Sequence, residues 1–124
     1  VIKLICFVKR KPGLSREEFH QHWSKVHGPL VAGSESGSYV LRYERNARPL
    51  GDYDRTGMPD GPDGCTIQWF ASIEDFWAST SAADYAEIDA DVATFIDTDA
   101  LQWILTEEPD VVIDRLGDGP VRRT

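Results

Sequence analysis

The sequence predicts an α+β fold in the order β-α-β-β-α-β, and three observations carry that prediction. Four short runs rich in β-branched and aromatic residues (1–8, 39–45, 65–71 and 101–106) read as strands. Two stretches, 15–28 and 72–96, place apolar residues at i, i+3, i+4 and i+7, the spacing of helices buried along one side. With 124 residues, the chain is long enough for one domain that buries about two-thirds of its unfolded surface, and too short for two.

The first strand, Val1 to Val8, is apolar on both alternating faces apart from Lys3: Ile2, Leu4, Cys6 and Val8 on one side, Val1, Ile5 and Phe7 on the other. Such a strand belongs in a sheet covered on both sides. Ser15-Arg16-Glu17-Glu18 is a capping box that starts the first helix. Along it Phe19, His22, Trp23 and Val26 form the inward stripe, while His20, Gln21, Ser24 and Lys25 fall opposite, with His20 solvated. His27 follows Trp23 by four positions on the same face. Gly28-Pro29 is expected to end the helix near His27 or Gly28.

In the second strand Tyr39, Leu41 and Tyr43 share a face opposite Arg42 and Glu44. The loop 47–64 carries a partial calcium-loop pattern in Asp52, Asp54, Thr56, Gly57, Asp60 and Asp63. Its last position is Asp in place of the bidentate Glu, prolines stand at 59 and 62, and a strand precedes it, so turn-forming Asp and Gly explain it better. In the third strand Cys65, Ile67, Trp69 and Ala71 share a face. Ser72 caps a short helix through Thr80, and Ser81 is expected to cap a longer one with the stripe Tyr85, Ile88, Val92, Phe95 and Ile96. Asp84, Glu87, Asp89, Asp91 and Asp97 lie mostly off that stripe and read as a solvated face, Asp84 also suiting the N-terminal dipole. Leu101 to Thr106 is the fourth strand, with Trp103 in its middle, and Val111 to Ile113 offers an edge extension. Residues 1–113 form the domain, and 114–124, rich in Gly, Pro and Arg, form a surface tail.

Composition excludes several functions. The formal net charge of -8 repels phosphate backbones and anionic lipids, so neither nucleic acid nor membrane is an expected partner. No apolar run approaches the ~20 residues of a membrane span, and no signal peptide precedes the first strand, so the chain reads as cytoplasmic. Cys6 and Cys65 lie in apolar runs without a CxxC partner and read as buried thiols. No metal is expected, because His20 and His22 face opposite sides of one helix and no Cys or His partner is suitably spaced.

The element order is the ferredoxin-like arrangement, an antiparallel four-stranded sheet with both helices on one face. The other face then needs covering, which implies a second copy. The pattern Phe19-x-x-His22-Trp23-x-x-x-His27-Gly28-Pro29-Leu30, after a first strand and the lead-in Lys11-Pro12-Gly13-Leu14-Ser15, resembles the EthD family of the dimeric α/β-barrel superfamily over residues 1 to 110. Trp23, His27 and Pro29 match the family pattern, whereas position 22 more commonly holds Tyr. The resemblance implies a homodimer joined through the sheet face, with a hydrophobic cavity in each subunit between sheet and helices. Related barrels include cofactor-free lactone isomerases, polyketide cyclases and dehydratases, and haem-degrading monooxygenases. The family name derives from an ether-degradation operon.

The leading expectation is a cofactor-independent isomerase, cyclase or dehydratase acting on a small apolar carbonyl, lactone or aromatic compound. An imidazole takes and gives a proton near neutrality, so His27 is assigned as general base and His22 as acid or orienting partner. Tyr39 or Tyr43 would donate a hydrogen bond to the enolate oxygen, and Phe19, Trp23, Trp69 and Trp103 would form apolar walls. One alternative is a non-catalytic carrier or accessory protein for an oxygenase in ether or aromatic degradation. Another is a haem-dependent or other oxidoreductase, with His27 as axial ligand. The plainest reading makes the histidines core residues bonded to backbone carbonyls and the tryptophans core packing. Whether the imidazoles line a cavity decides between these.

Overall fold

In a computed structural model, residues 1–55 and 60–117 are described. The elements are β1 (Ile2–Val8), α1 (Arg16–His22), a π-helical turn (Trp23–His27), α2 (Gly28–Ala32), β2 (Val40–Ala47), β3 (Gly64–Phe70), α3 (Ile73–Thr80), α4 (Tyr85–Phe95) and β4 (Gln102–Thr106). The sheet order is β2-β3-β1-β4 and every neighbouring pair is antiparallel. The predicted α+β order therefore holds, with the doubly apolar β1 in a central position. No helix among the described residues is long and apolar enough to cross a membrane.

The register fixes which side chains meet the helices. Cys6 stands between Thr66 and Trp103, and Gln68 between Leu4 and Tyr43, all on the inner face. Lys3, Ile5, Phe7, Ile67, Trp69 and Ile104 take the outer one. The core joins Val8, Phe19, Trp23, Phe95 and Ile96. Phe19 is fully buried, 5.5 Å from both the Trp23 and Phe95 rings. The capping box forms as expected, Glu18 N–H donating to Ser15 Oγ at 3.0 Å and Ser15 N–H to Glu18 Oε1 at 2.9 Å.

Four local expectations are corrected. The first helix does not stop at Gly28-Pro29. Its last turn widens, Gly28 N–H donates to Trp23 O, and Pro29 enters at the start of α2, where a missing N–H costs nothing. Ser81 closes α3 and does not cap α4; Asp84 stands at that start, but its carboxylate accepts the Glu35 and Ser36 N–H groups instead of capping its own helix. A bulge between Val40 and Arg42 breaks the alternation expected of Tyr39, Leu41 and Tyr43. Tyr39 lies in the turn before β2, Leu41 is exposed, and only Tyr43 reaches the inner face. Val111 to Ile113 pairs with no strand among the described residues and is exposed. Of the expected tail, residues 114–117 are exposed and 118–124 lie outside the described residues.

The loop after β2 is tied down by Asp63. Its carboxylate, fully buried, accepts the Arg10 backbone N–H and guanidinium, each at 2.7 Å, and the Tyr53 hydroxyl. Tyr53 packs between the Arg16 and Arg48 guanidinium groups, 4.1 and 4.3 Å from its ring centre. Asp52 pairs with Arg48 and Arg55. Two carboxylates of the calcium-like pattern are thus held by cations, Thr56 and Gly57 lie outside the described residues, and no metal-holding cluster of His, Cys, Asp or Glu occurs among the described ones. Because this loop folds over the helix, His20 is not solvated as expected. Its Nε2 lies 3.4 Å from the Tyr53 hydroxyl, and its Nδ1 is buried without a partner among the described residues.

Candidate active site

Between the inner sheet face and the helices lies a cavity of about 350 Å³. That falls at the lower end of the ~300–1,000 Å³ typical of small-molecule sites. Leu4, Cys6 and Gln68 contribute from the sheet, Trp23 and His27 from the first helix, and Phe76 from α3. Trp77 and Trp103, each more than half exposed, reach it from the rim.

His27 is buried, and its Nδ1 lies 2.8 Å from Asp91 Oδ2 on α4. An ionised carboxylate only accepts, so the proton is on Nδ1 and the lone pair on Nε2. Nε2 makes no hydrogen bond to any described residue, and the ring lines the cavity. His22 Nε2 approaches both oxygens of the same Asp91, at 3.0 and 3.1 Å. Phe95, one turn on from Asp91, packs its ring 4.6 Å from His22 and 5.1 Å from His27.

The π turn explains this convergence. In an α-helix, residues five apart point about 140° away from each other. Bonding from i to i+5 widens the turn and swings them toward one side, so that His22 and His27 both reach one carboxylate. π turns recur where a helix presents functional side chains.

Burial pushes the His27 imidazole below its ordinary value, against the opposing pull of the Asp91 hydrogen bond and charge, while His22 adds a small lowering effect. Burial pulls the Asp91 carboxyl upward, but the hydrogen bonds from His27 and His22 and their charges outweigh it and leave the group below the usual carboxylate range. On the opposite wall, Tyr43 Oη accepts the Trp23 indole N–H at 3.2 Å, so its own hydroxyl proton is free to donate into the cavity. Burial raises the Tyr43 phenol and keeps it protonated.

Of the residues singled out from sequence, His27, Tyr43, Trp23 and Trp103 line the cavity. Four do not. His22 is half-buried and spent on Asp91. Phe19 lies behind Trp23 in the core, Tyr39 is displaced by the bulge, and Trp69 is on the outer sheet face, under Arg42 at 5.6 Å. Two residues at the cavity or behind it were missed. Asp91 looked like one more acid of a solvated helix face, although its spacing of one turn from Phe95 and Glu87 offered a weak hint. Gln68 was assigned no role, standing opposite the face shared by Cys65, Ile67, Trp69 and Ala71.

One antiparallel sheet with helices on a single face, and an apolar cavity between the layers, defines an α+β domain of ferredoxin-like topology. Within that class the chain belongs to the EthD family, whose domain matches residues 11–99, as the helix pattern implied. Among solved structures it is similar to an EthD-like protein from Ralstonia eutropha, at 24% identity and TM-score 0.63 over 92% of this chain and 94% of that one. It is similar also to a dimeric protein of unknown function and ferredoxin-like fold from Bacteroides fragilis, at 11% identity and TM-score 0.61 over 86% and 95%. SnoaB, a cofactor-independent oxygenase from Streptomyces nogalater, matches at 9% identity and TM-score 0.61 over 91% and 97%. Likeness at these identities shows the fold alone. No curated protein matches the chain.

Proposed function

We propose that this EthD-domain protein is a cofactor-independent enzyme that relocates a proton on a small, largely apolar carbonyl compound, a lactone or an aromatic ketone, in an isomerisation, cyclisation or dehydration. The observation that carries this reading is His27, with one ring nitrogen fixed by Asp91 and the other unbonded at the wall of an apolar cavity.

With its lowered pKa, His27 is neutral at pH 7, and its Nε2 takes the proton next to the substrate carbonyl. Electron density moves onto the carbonyl oxygen, where the Tyr43 hydroxyl donates a hydrogen bond, its own oxygen held by Trp23. The imidazolium, stabilised by Asp91, then returns the proton to another carbon or to a departing hydroxyl, which leaves as water. His22 acts from outside the cavity, by steadying Asp91, and is withdrawn as the catalytic acid.

SnoaB, which shares the fold, works without a cofactor, and that is consistent with this reading. The haem alternative fits less well: among the described residues no Lys or Arg lines the cavity to meet haem propionates, and Asp89 stands at its wall. The test is solvent-deuterium incorporation into a panel of lactones and aryl ketones. Replacing His27 by Ala is expected to lower exchange by at least ~10²-fold with the fold intact by circular dichroism. Exchange equal to wild type would overturn the proposal, and ligand binding without any exchange would favour the carrier reading.

The same reading includes a homodimer through the outer sheet face, where Phe7 is 46% and Ile104 56% exposed beside Ile5, Ile67 and Trp69. The Bacteroides fragilis structure with this fold is described as dimeric. Light scattering at micromolar concentration is expected to give twice the chain mass, and a monomer would remove this part. A cytoplasmic location is in keeping with two free thiols, Cys6 and Cys65.

A further inference from the structure

The cavity carries a second polar feature beside Tyr43. Gln68 stands in the middle of β3, directly opposite Tyr43 across the β2–β3 pairing, and both line the cavity. Directly opposed residues hold their Cβ atoms about 4.5–5.5 Å apart, close enough for two side-chain donors to meet one oxygen. The Gln68 amide bonds to no described residue, yet it is not sealed off, so its free valences open onto the cavity. A strand interior facing a core would bury an apolar side chain at this place. An amide left there without a partner is stabilised by a bound group that pairs with it.

The charge around the cavity is one-sided. Among the described residues no Lys or Arg lines it, Asp89 stands at its wall, and Asp91 lies behind His27. A carboxylate ligand would lose its hydration there and meet no lysine or arginine among the lining residues, so an anion is disfavoured. Behind the rim the buried Phe76 ring lies 5.0 Å from Trp77 and 6.1 Å from Trp103, so the entrance is bordered by aromatic surface suited to contact with a flat ring.

We infer that the cavity selects an uncharged, planar aryl carbonyl compound, its oxygen held jointly by the Tyr43 hydroxyl and the Gln68 side-chain amide. This rests on the proton-transfer reading only in placing a carbonyl here, and binding tests it without turnover. The full-length chain is titrated with three probes of one shape, 2-acetylnaphthalene, naphthalene and 2-naphthoate, the last anionic at pH 7. Quenching of the rim tryptophans reports occupancy.

The ketone is expected to bind at least about tenfold tighter than either of the others, the worth of one to two added hydrogen bonds. Gln68→Leu, or Gln68→Met should Leu not fold, is expected to bring the ketone down to the affinity of naphthalene while naphthalene itself binds as before. Tyr43→Phe should weaken the ketone in the same direction. Naphthoate binding as tightly as the ketone, an unchanged ketone affinity in the Gln68 variants, or no binding of any probe overturns the inference. Selective ketone binding by the wild-type chain without deuterium exchange sinks the proton-transfer reading alone, and exchange that ignores Gln68 sinks this one alone.

Discussion

Asp91→Asn is expected to reduce turnover by about 10²–10⁴-fold in a chain that stays folded. Asn matches the shape of Asp but presents an N–H₂ as well as an oxygen. A donor facing His27 Nδ1 forces the ring proton onto Nε2 and removes the lone pair from the cavity side. Even with the oxygen in place, the imidazolium formed during proton transfer loses its counter-charge. The pH profile separates this from simple loosening of the site. Burial holds the wild-type His27 below its ordinary value and Asp91 pulls it up, so the acid limb of kcat/KM lies below the usual histidine range and moves to still lower pH in the variant. A variant with wild-type rate, or one whose acid limb moves upward, would sink the role given to Asp91.

The same groups set the response to acid. Both His27 and Asp91 have folded-state values below their unfolded ones. In each case the unfolded chain binds the proton first, so the stability they contribute is present at neutral pH and is lost as pH falls. The share from His27 is full above the unfolded histidine value of about 6.5 and is lost as pH falls below it toward the lower folded value; the share from Asp91 is full above about 3.9 and is lost below that.

Asp63→Ala is expected to be the most damaging substitution outside the cavity, costing about 3 kcal/mol or more. The carboxylate is fully buried and collects the Arg10 guanidinium, the Arg10 backbone N–H and the Tyr53 hydroxyl. Its loss leaves the hydroxyl and the guanidinium without their acceptor, although Arg10, partly exposed, recovers some hydration. Urea denaturation should show a lower midpoint with an unchanged slope, and a midpoint equal to wild type would refute the staple. Tyr53 supplies an independent signal. Burial, and then the hydrogen bond to Asp63 and its charge, push this phenol up to about 12. Its contribution to stability is therefore complete below the unfolded value of about 10 and is lost as pH rises through 12. In Asp63→Asn, which keeps the packing and removes the charge, spectrophotometric titration should find the phenol lower.

Much of the fold was readable because it is written in local pattern. The two apolar faces of Val1 to Val8 call for a central strand, and β1 lies between β3 and β4. Ser15 and Ser72 each stand three residues before the N–H that they accept, and both helices start there. The Phe19-to-Leu30 pattern carried the family. Errors came where one residue's conformation depends on what lies across from it. Ser81 offered the same hydroxyl as Ser72, but α3 used its backbone N–H as a C-terminal stop first. Gly28-Pro29 breaks an α-helix, and the π turn removes the conflict by widening the turn ahead of the proline.

At the candidate site the sequence by itself determined the order of elements and the inward placement of Phe19, Trp23 and His27, because periods of 2 and 3.6 are properties of single segments. Val26, expected on the same inward stripe, is instead 48% exposed, because the widened turn rotates it away from the core. Only the tertiary structure decided the rest. The bulge in β2 chose Tyr43 over Tyr39, and strand register sent Trp69 outward and Gln68 inward. The packing of α4 took one acid, Asp91, out of a row of similar acids and set it 2.8 Å from His27. A carboxylate's partner depends on distances between segments 64 residues apart, and no local period encodes those.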